Sequence, residues 1–114
     1  MKILICGGRD YNNWLKFCEV MSEYFAWDRY DLELISGGAR GADSLAEQWA
    51  KEYGVIITVF PADWKTYGTR AGYLRNVLMA DQNPDLVIAF PGSKGTAMMV
   101  KIARERGIEV QEVS

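Results

Sequence analysis

Three glycine-rich segments contain the residue types that bind anions in proteins. One of them, residues 36–43, reads Ser-Gly-Gly-Ala-Arg-Gly-Ala-Asp and lies between an apolar run and an amphipathic stretch. Glycine lets a backbone turn sharply and approach a ligand without a Cβ atom in the way. The start of a helix presents unpaired N–H groups and a partial positive charge. The order of strand, glycine-rich turn and helix therefore predicts an anion site, most often for a phosphate.

Two further segments repeat this arrangement at the ends of other predicted strands. Residues 6–10 read Cys-Gly-Gly-Arg-Asp, and residues 90–96 read Phe-Pro-Gly-Ser-Lys-Gly-Thr. Residues 36–41 are expected to hold one phosphate, and residues 91–96 another phosphate or the same one. The candidate ligand-binding residues in the three segments are Gly7, Gly8, Arg9, Ser36, Gly37, Gly38, Arg40, Gly41, Asp43, Pro91, Gly92, Ser93, Gly95 and Thr96.

Charged and amide side chains complete the candidate site. Arg9 and Arg75 are expected to bind the negative charge of the ligand, because arginine forms strong charge-assisted hydrogen bonds with phosphate. Asn76 stands beside Arg75 on a predicted helix, and the alternative for this pair is a solvated helix face. Asp43 or Asp63 would hold ribose hydroxyl groups. Asp43 also stands in the first turn of a predicted helix, where the dipole alone favours a carboxylate.

Two aromatic residues, Trp64 and Tyr67, lie in a loop predicted over residues 62–68. Their rings can stack on a base or close over a ligand. They can equally cover the edge of the sheet, so both interpretations stay open at this point.

Known phosphate-loop signatures narrow the kind of ligand. No segment has the Walker A pattern G-x-x-x-x-G-K-[ST], so ATP hydrolysis of that type is not expected. Residues 36–41 match the dinucleotide fingerprint G-x-G-x-x-G except for its first glycine. The acidic partner of that fingerprint lies about 20 residues further on, where this chain has Asp63. The pattern favours an adenosine- or ribose-phosphate ligand.

The composition excludes several classes of site. The 114 residues include no histidine, which excludes Ser-His-Asp catalysis, Cys-His catalysis and histidine metal sites, and no metal is expected. Cys6 and Cys18 lack metal-like spacing and are interpreted as reduced thiols that pack as small apolar side chains, which is typical of a cytoplasmic protein. No apolar run approaches the roughly 20 residues that span a bilayer, and the first residues are interpreted as a strand rather than a signal peptide.

The distribution of charge favours a small anionic ligand. The formal net charge is −2 and no basic tail is present, which argues against nucleic acid as a partner. The basic residues in or beside loops that follow strands, or at helix starts, are Arg9, Arg40, Lys65, Arg70, Arg75 and Lys94.

Apolar runs and amphipathic stretches alternate along the whole chain, which we interpret as a single domain over residues 1–114. Strands are predicted over residues 2–6, 32–35, 55–60, 86–90 and 108–113. Helices are predicted from a cap at Asn12 or Asn13 to residue 27, and over about residues 42–53, 69–81 and 93–106. Five strands alternating with four helices predict an α/β fold, a Rossmann-like, doubly wound three-layer sandwich around a five-stranded, mostly parallel sheet. Right-handed crossovers would bring the three glycine-rich segments together at one edge.

Each predicted helix has an apolar face that would pack on the sheet. The residues expected on these faces are Trp14, Phe17, Met21 and Tyr24 or Phe25 in the first helix, Leu45, Ala46, Trp49 and Tyr53 in the second, Tyr73, Leu74, Val77 and Leu78 in the third, and Met98, Met99, Ile102 and Ala103 in the fourth. The surplus of aromatic residues in the first two helices predicts a homodimer through helix faces.

Taken together, these segments resemble the SLOG superfamily of Rossmann-like proteins, and specifically its YspA-like branch. The resemblance rests on residues 7–10, 36–43, 60–64, 72–79 and 90–97, which occur in the expected order. The superfamily includes the LOG cytokinin-activating phosphoribohydrolases, the DNA-processing DprA proteins and sensor domains thought to bind nucleotide-derived signals in prokaryotic conflict systems. The resemblance implies the fold and a nucleotide-like ligand, without by itself specifying an activity.

One departure from the LOG pattern bears on catalysis. LOG enzymes carry P-G-G-x-G-T-x-x-E with a catalytic glutamate, whereas residues 91–99 read Pro-Gly-Ser-Lys-Gly-Thr-Ala-Met-Met. Met99 occupies the glutamate position and can neither stabilise an oxocarbenium ion nor move a proton, although Arg75 is a match for the arginine of that family. A LOG-like hydrolase is therefore disfavoured unless Asp10, Asp43 or Asp63 supplies the carboxylate.

Three functions follow from the sequence. The first is the binding of a nucleotide or nucleotide-derived ligand, such as an ADP-ribose-like signal, by a sensor or sequestering domain, with no other cofactor predicted. The second is hydrolysis of an N-glycosidic or phosphate bond with Asp43 or Asp63 as general base. The third is DprA-like binding of single-stranded DNA, against which the net charge, the small size and the lack of a continuous basic groove argue.

Overall fold

The computed structural model describes residues 1–92 and 94–114, and its centre is a five-stranded sheet. The strands are β1 (Lys2–Cys6), β2 (Glu33–Ser36), β3 (Ile56–Val59), β4 (Leu86–Ala89) and β5 (Glu109–Glu112). Their spatial order is β3-β2-β1-β4-β5, and all four pairings between neighbours are parallel. The predicted α/β fold is confirmed, and the strand order is that of the doubly wound sheets whose ligands bind beside the switch in strand order, here between β1 and β4.

Helices cover both faces of the sheet and make it the middle layer of three. They are α1 (Trp14–Asp28), α2 (Ala42–Tyr53), α3 (Trp64–Tyr67), α4 (Ala71–Ala80) and α5 (Lys94–Glu105). Alternate residues of β1 point to opposite faces. Ile3 and Ile5 pack with apolar residues of α1 and α2, whereas Leu4 and Cys6 pack with those of α4 and α5. Both faces of β1 are buried, which explains its continuous apolar sequence.

Local capping interactions set the starts of two helices. Asn13 Oδ1 accepts a hydrogen bond from the N–H of Lys16 at 3.0 Å, so Asn13, of the two predicted candidates, caps α1. Asp63 Oδ1 accepts one from the N–H of Thr66 at 3.1 Å and caps α3.

The segment predicted as a loop over residues 62–68 is instead largely helical. It contains α3 and then a 3₁₀ turn over Gly68–Arg70, and the following helix begins at Ala71 rather than at residue 69. The side-chain cap at Asp63 satisfies an N–H of the first turn and so stabilises this short helix.

The buried face of α4 differs from the expected one. Tyr73 and Leu78 were expected to face the core, but each is 50% exposed. The apolar residues that α4 buries are Ala71, Met79 and Ala80. The small side chains of Ala71 and Ala80 thus share the buried side with Met79, and Tyr73 and Leu78 lie on the outer side.

The apolar faces of α1 and α2 are close to expectation. Phe17 and Met21 are fully buried and Trp49 nearly so. Tyr53 was expected to be buried but is 47% exposed, with its ring centroid 4.9 Å from that of Trp49 and 5.3 Å from that of Phe25. It therefore covers the aromatic cluster from outside.

Several large apolar side chains remain on the surface. Leu15, Trp27 and Tyr30 are 81%, 90% and 88% exposed. The homodimer through helix faces stays a prediction. Within the described residues, no helix combines the length and the apolar character that crossing a membrane requires.

Candidate functional site

The loops that follow β1, β2 and β4 meet at the carboxyl edge of the sheet. The N–H of Gly8 donates to the carbonyl oxygen of Pro91 at 2.8 Å, and the N–H of Ala42 donates to that of Gly8 at 3.2 Å. Right-handed crossovers require this meeting. Residues 6–10 thus lie between the other two glycine-rich segments and form hydrogen bonds with both.

A cavity of about 730 Å³ opens where the loops meet. Its volume lies in the range of small-molecule sites, about 300–1,000 Å³. The sequence-predicted site residues that line it are Gly7, Gly8, Arg9, Arg40, Asp43, Arg75, Asn76, Pro91, Gly92, Gly95 and Thr96. Asp10 and Trp64 line it as well. Gly37 and Gly38 instead line a smaller depression of about 400 Å³ that adjoins the cavity.

Three other predicted residues lie outside the linings of both depressions. Ser36 is fully buried, and Asp63 caps α3. Gly41 has φ +75°, and a Cβ atom there would overlap the carbonyl oxygen of Gly8. Gly41 is therefore required by the close approach of two backbones. Ser93, also predicted as a site residue, lies outside the described residues.

The backbone of residues 36–43 forms hydrogen bonds within the protein. The N–H of Gly38 donates to Ser36 Oγ at 3.2 Å, and the N–H of Ala39 donates to Asp43 Oδ2 at 3.1 Å. The N–H of Ala42, at the start of α2, donates to Gly8. Each of these three N–H groups therefore has an acceptor within the protein. The arginine side chains that line the cavity are further groups that bind anions on this side.

Arg75 is the most firmly held of the basic side chains that line the cavity. Its Nη1 donates to the carbonyl oxygen of Gly37 at 2.6 Å, and its Nε donates to Asn76 Oδ1 at 3.1 Å. The guanidinium lies directly against the Cα of Gly37, where a Cβ atom would overlap it. Burial lowers the pKa of Arg75, with nearby Asp43 acting to raise it and Arg9 to lower it.

Asn76 connects the glycine-rich segments that follow β2 and β4. It is 5% exposed, and its Nδ2 donates to the carbonyl oxygen of Gly95 at 3.4 Å. Because its Oδ1 accepts from Arg75, which binds Gly37, a chain of hydrogen bonds runs from residues 36–43 to the start of α5. The alternative of a solvated helix face does not hold for Asn76.

Asp43 supplies a buried carboxylate at the cavity wall. Burial raises its pKa, and the hydrogen bond from Ala39 and the charge of Arg75 oppose that shift. Cys6 also lines the cavity, but burial raises the pKa of its thiol to about 12, so it is neutral and not a nucleophile.

Sequence reasoning missed several lining residues, among them Tyr11, Tyr73 and Met98. The Tyr11 ring centroid lies 5.2 Å from that of Phe90, and its buried hydroxyl has no hydrogen-bond partner among the described residues. Its place two residues after Arg9 in the first loop was the available signal. Met99, at the position of the LOG glutamate, is fully buried in the core and is not part of the lining.

The fold and the cavity define a Rossmann-like α/β domain with a ligand-sized site at the carboxyl edge of its sheet. The sequence pattern of the YAcAr family, described as the YspA, cpYpsA-related SLOG family, matches residues 1–67. The Gene 61 protein of Mycobacterium phage D29 is 34% identical over 116 residues, which cover 96% of this chain and 93% of that protein. The chain belongs to the YspA, cpYpsA-related SLOG family, as the resemblance predicted.

A solved structure supports the fold independently. The Moco carrier protein from Chlamydomonas reinhardtii matches with a TM-score of 0.64 and 19% identity, over 98% of this chain and 75% of that one. At this identity the likeness concerns the fold.

Proposed function

We propose that the protein binds a nucleotide or nucleotide-derived anion in the cavity of about 730 Å³, as a domain that senses or sequesters its ligand. The observation that carries the proposal is the group of arginines Arg9, Arg40 and Arg75 in the cavity wall. None of the ion pairs between described residues involves any of the three. Arg9 and Arg40 therefore offer charges that form no ion pair with a described carboxylate, whereas Arg75 also lies near the Asp43 carboxylate.

The expected strength of this group suits a small-molecule ligand. A hydrogen bond to a charged group contributes about 1.5–3 kcal/mol. Two or three such bonds, together with apolar contacts, reach the roughly 8 kcal/mol that a micromolar dissociation constant represents. Arg75 is already oriented by Gly37 and Asn76, so binding immobilises it at little further entropic cost.

The remaining lining suits the other parts of a nucleotide. The rings of Tyr11 and Trp64 offer apolar faces for a base, and the carboxylate of Asp43 offers an acceptor for ribose hydroxyls. The structural neighbour is by its name a carrier of Moco, which is in keeping with a fold that holds a small molecule.

Calorimetry with AMP, ADP, NAD and ADP-ribose tests the proposal. Arg9→Gln is the informative variant, because Arg9 is exposed and lines the cavity. We expect at least a tenfold loss of affinity for the nucleotide that binds best. Arg29→Gln is the matched control, since its guanidinium lies over the Tyr30 ring and lines neither depression. Equal affinities of the two variants would contradict an anion site at this wall.

Thermal unfolding gives a second readout of the same binding. A ligand present at 100 times its dissociation constant stabilises the folded state by about 2.7 kcal/mol, which shifts the unfolding temperature of a domain of this size by several degrees. A shift of that size in the parent protein, reduced in Arg9→Gln, is the expected result.

A second candidate function is hydrolysis of an N-glycosidic or phosphate bond. The observation that favours it is the buried carboxylate of Asp43 at the cavity wall, whose pKa is raised as a general base requires. Chromatography after incubation with nucleoside monophosphates, NAD and ADP-ribose decides between the two. Turnover that disappears in Asp43→Asn identifies an enzyme, whereas binding without turnover identifies a binding domain.

A further inference from the structure

The two edge strands of the sheet, β3 and β5, differ in charge. β5 has exposed carboxylates at Glu109 and Glu112, which discourage another strand from pairing there. β3 reads Ile-Ile-Thr-Val and contains no charged residue, proline or glycine. Open edges of natural sheets are usually protected by such residues or covered by another element. β3 therefore has the sequence of a strand with neighbours on both sides, whereas within the described residues it pairs with β2 alone.

The backbone groups that β3 directs outward follow from its pairing with β2. The N–H of Phe60 donates to the carbonyl oxygen of Ser36 at 2.8 Å, so Phe60 is turned toward β2. Successive residues of a strand direct their backbone groups to opposite sides, so Thr58 is also turned toward β2, and Ile57 and Val59 are turned away. The described loops and caps form no backbone hydrogen bond with Ile57 or Val59. Both residues therefore direct an N–H and a C=O away from the sheet.

Side chains on one face of β3 are also uncovered. Ile56 is 65% exposed and Thr58 is exposed. Alternation along the strand places both on the same face as Phe60, which is only partly buried. The edge thus presents apolar area beside its open backbone groups, and a partner strand would remove that area from water.

We propose that β3 is an interface at which two copies of this chain pair antiparallel and join their sheets. A two-fold axis at Thr58 places this residue opposite Thr58 of the second copy. Ile57 then lies opposite Val59 of the second copy, and the two residues exchange both of their outward hydrogen bonds.

This register makes the edge complementary to itself. It places the exposed Ile56 opposite Phe60 of the second copy, and aromatic–β-branched pairs and Thr–Thr pairs are favourable cross-strand neighbours. No like charges face each other, because β3 contains none. The match in hydrogen bonds, apolar contact and charge favours a second copy over an unrelated peptide as the partner.

The size of the contact sets its strength. Each copy contributes a strand of four residues. Such a contact is smaller than the roughly 1,200–2,000 Å² of stable complexes, so we expect a reversible dimer whose population rises with protein concentration. The pairing leaves the outer faces of the helices uncovered, which distinguishes it from the predicted homodimer through helix faces. Residues 56–59 line neither depression, so the inference is independent of the proposed function.

Sedimentation velocity over a range of protein concentrations tests the pairing. Thr58→Lys and Thr58→Glu each place like charges opposite one another at the two-fold axis, and each variant should stay monomeric where the parent protein dimerises. An equimolar mixture of the two variants places opposite charges there and should restore the dimer. Thr58 is exposed, so both variants should fold, which circular dichroism checks. Leu15→Lys, at an exposed position of α1, is the matched control and should keep the dimer.

Cross-linking tests the register and does not depend on the charged variants. In Thr58→Cys the two introduced thiols lie on a non-hydrogen-bonded pair, with about 4.5 Å between Cα atoms, which a disulfide spans. Oxidation with diamide should therefore give a covalent dimer. Ile56→Cys is the matched control, because position 56 of the second copy lies about 13 Å away along the strand and should not cross-link. The parent protein controls for Cys6 and Cys18.

The remaining outcomes overturn the inference. A parent protein that is monomeric at every concentration has no such interface. A dimer that Leu15→Lys abolishes and Thr58→Lys preserves is formed through helix faces. A mixture of the Thr58 variants that stays monomeric, or Ile56→Cys that cross-links as readily as Thr58→Cys, rules out a two-fold axis at Thr58.

Discussion

The glycine-rich segments after β2 and β4 are alike in sequence and different in structure. In residues 36–43, the N–H groups of Gly38, Ala39 and Ala42 each donate to an acceptor of the protein. In the segment after β4, Pro91, Gly92 and Gly95 are exposed and line the cavity. The named N–H groups of residues 36–43 are thus used within the protein, whereas Pro91, Gly92 and Gly95 form part of the exposed wall of the cavity.

This difference shows what a glycine-rich turn does and does not predict. Glycines report that the backbone turns sharply or that two backbones come close. They do not report whether the amide groups of the turn are free, because that depends on which acceptors lie within reach. In residues 36–43 those acceptors are Ser36 and Asp43, and the exposed positive charge comes from arginine side chains.

The largest expected effect is on stability, from glycine substitutions in the two segments. Gly41→Ala places a Cβ atom against the backbone of Gly8 at a φ of +75°, and we expect it to lower the free energy of unfolding by about 3 kcal/mol. Gly95→Ala meets nothing within 4 Å and lies in the first turn of α5. We expect it to leave stability unchanged or raise it by up to about 1 kcal/mol.

Urea denaturation of both variants measures this contrast. Similar losses of stability in Gly41→Ala and Gly95→Ala would mean that both segments are framework, and the contrast would not stand.

A smaller effect is expected at the connection between the segments. Asn76→Ala removes the acceptor of the Arg75 Nε and the donor to Gly95 inside the protein. Loss of buried hydrogen-bonding partners costs about 1–3 kcal/mol, and we expect a loss of stability in that range. Asn12→Ala, at an exposed position, is the matched control and should change stability by less than about 0.5 kcal/mol. If the two variants were equally stable, Asn76 would not hold the segments together.

The smallest effect is a change in the pH dependence of stability. Burial raises the pKa of Asp43 above its ordinary value of 3.8, so the folded protein holds this proton more tightly than the unfolded chain. Its contribution to stability is fully present below the unfolded pKa and is lost as the pH rises through the folded pKa. The stability of Asp43→Asn relative to the parent protein should therefore increase with pH over that interval.

Urea denaturation at a series of acidic pH values measures this difference, with Asp31→Asn, an exposed carboxyl, as control for the general pH dependence. A relative stability of Asp43→Asn that is flat or falls with pH would mean that Asp43 is as well solvated as in the unfolded chain.

The fold could be predicted from the sequence because apolar residues recur with the periods of strands and helices. Both faces of β1 and β4 are buried, and their continuous apolar sequences indicate this burial directly. The cap at Asn13 and the amphipathic pattern of α1 likewise follow from local rules. Strand order and the meeting of the loops follow from the handedness of crossovers.

The details of the site were less predictable because they depend on tertiary contacts. Tyr73 and Leu78 were predicted on a buried face, yet the apolar residues that α4 buries are Ala71, Met79 and Ala80. Asp63 matches the acidic position of a dinucleotide fingerprint and is used as a helix cap. No local pattern indicates that Asn76 is buried between Arg75 and Gly95.

The central position of β1 has a consequence for how the protein folds. Lys2 at its start donates its N–H to the carboxylate of Asp85, 83 residues away, and the β1–β4 pairing closes a loop of that length. Closing so long a loop is slow, because its entropic cost is not offset until the distant strand has paired. The loops after β1, β2 and β3 can assemble around neighbouring strands, whereas residues 91–96 join them only after β4 has paired. The cavity should therefore be completed late in refolding, after most of the secondary structure has formed.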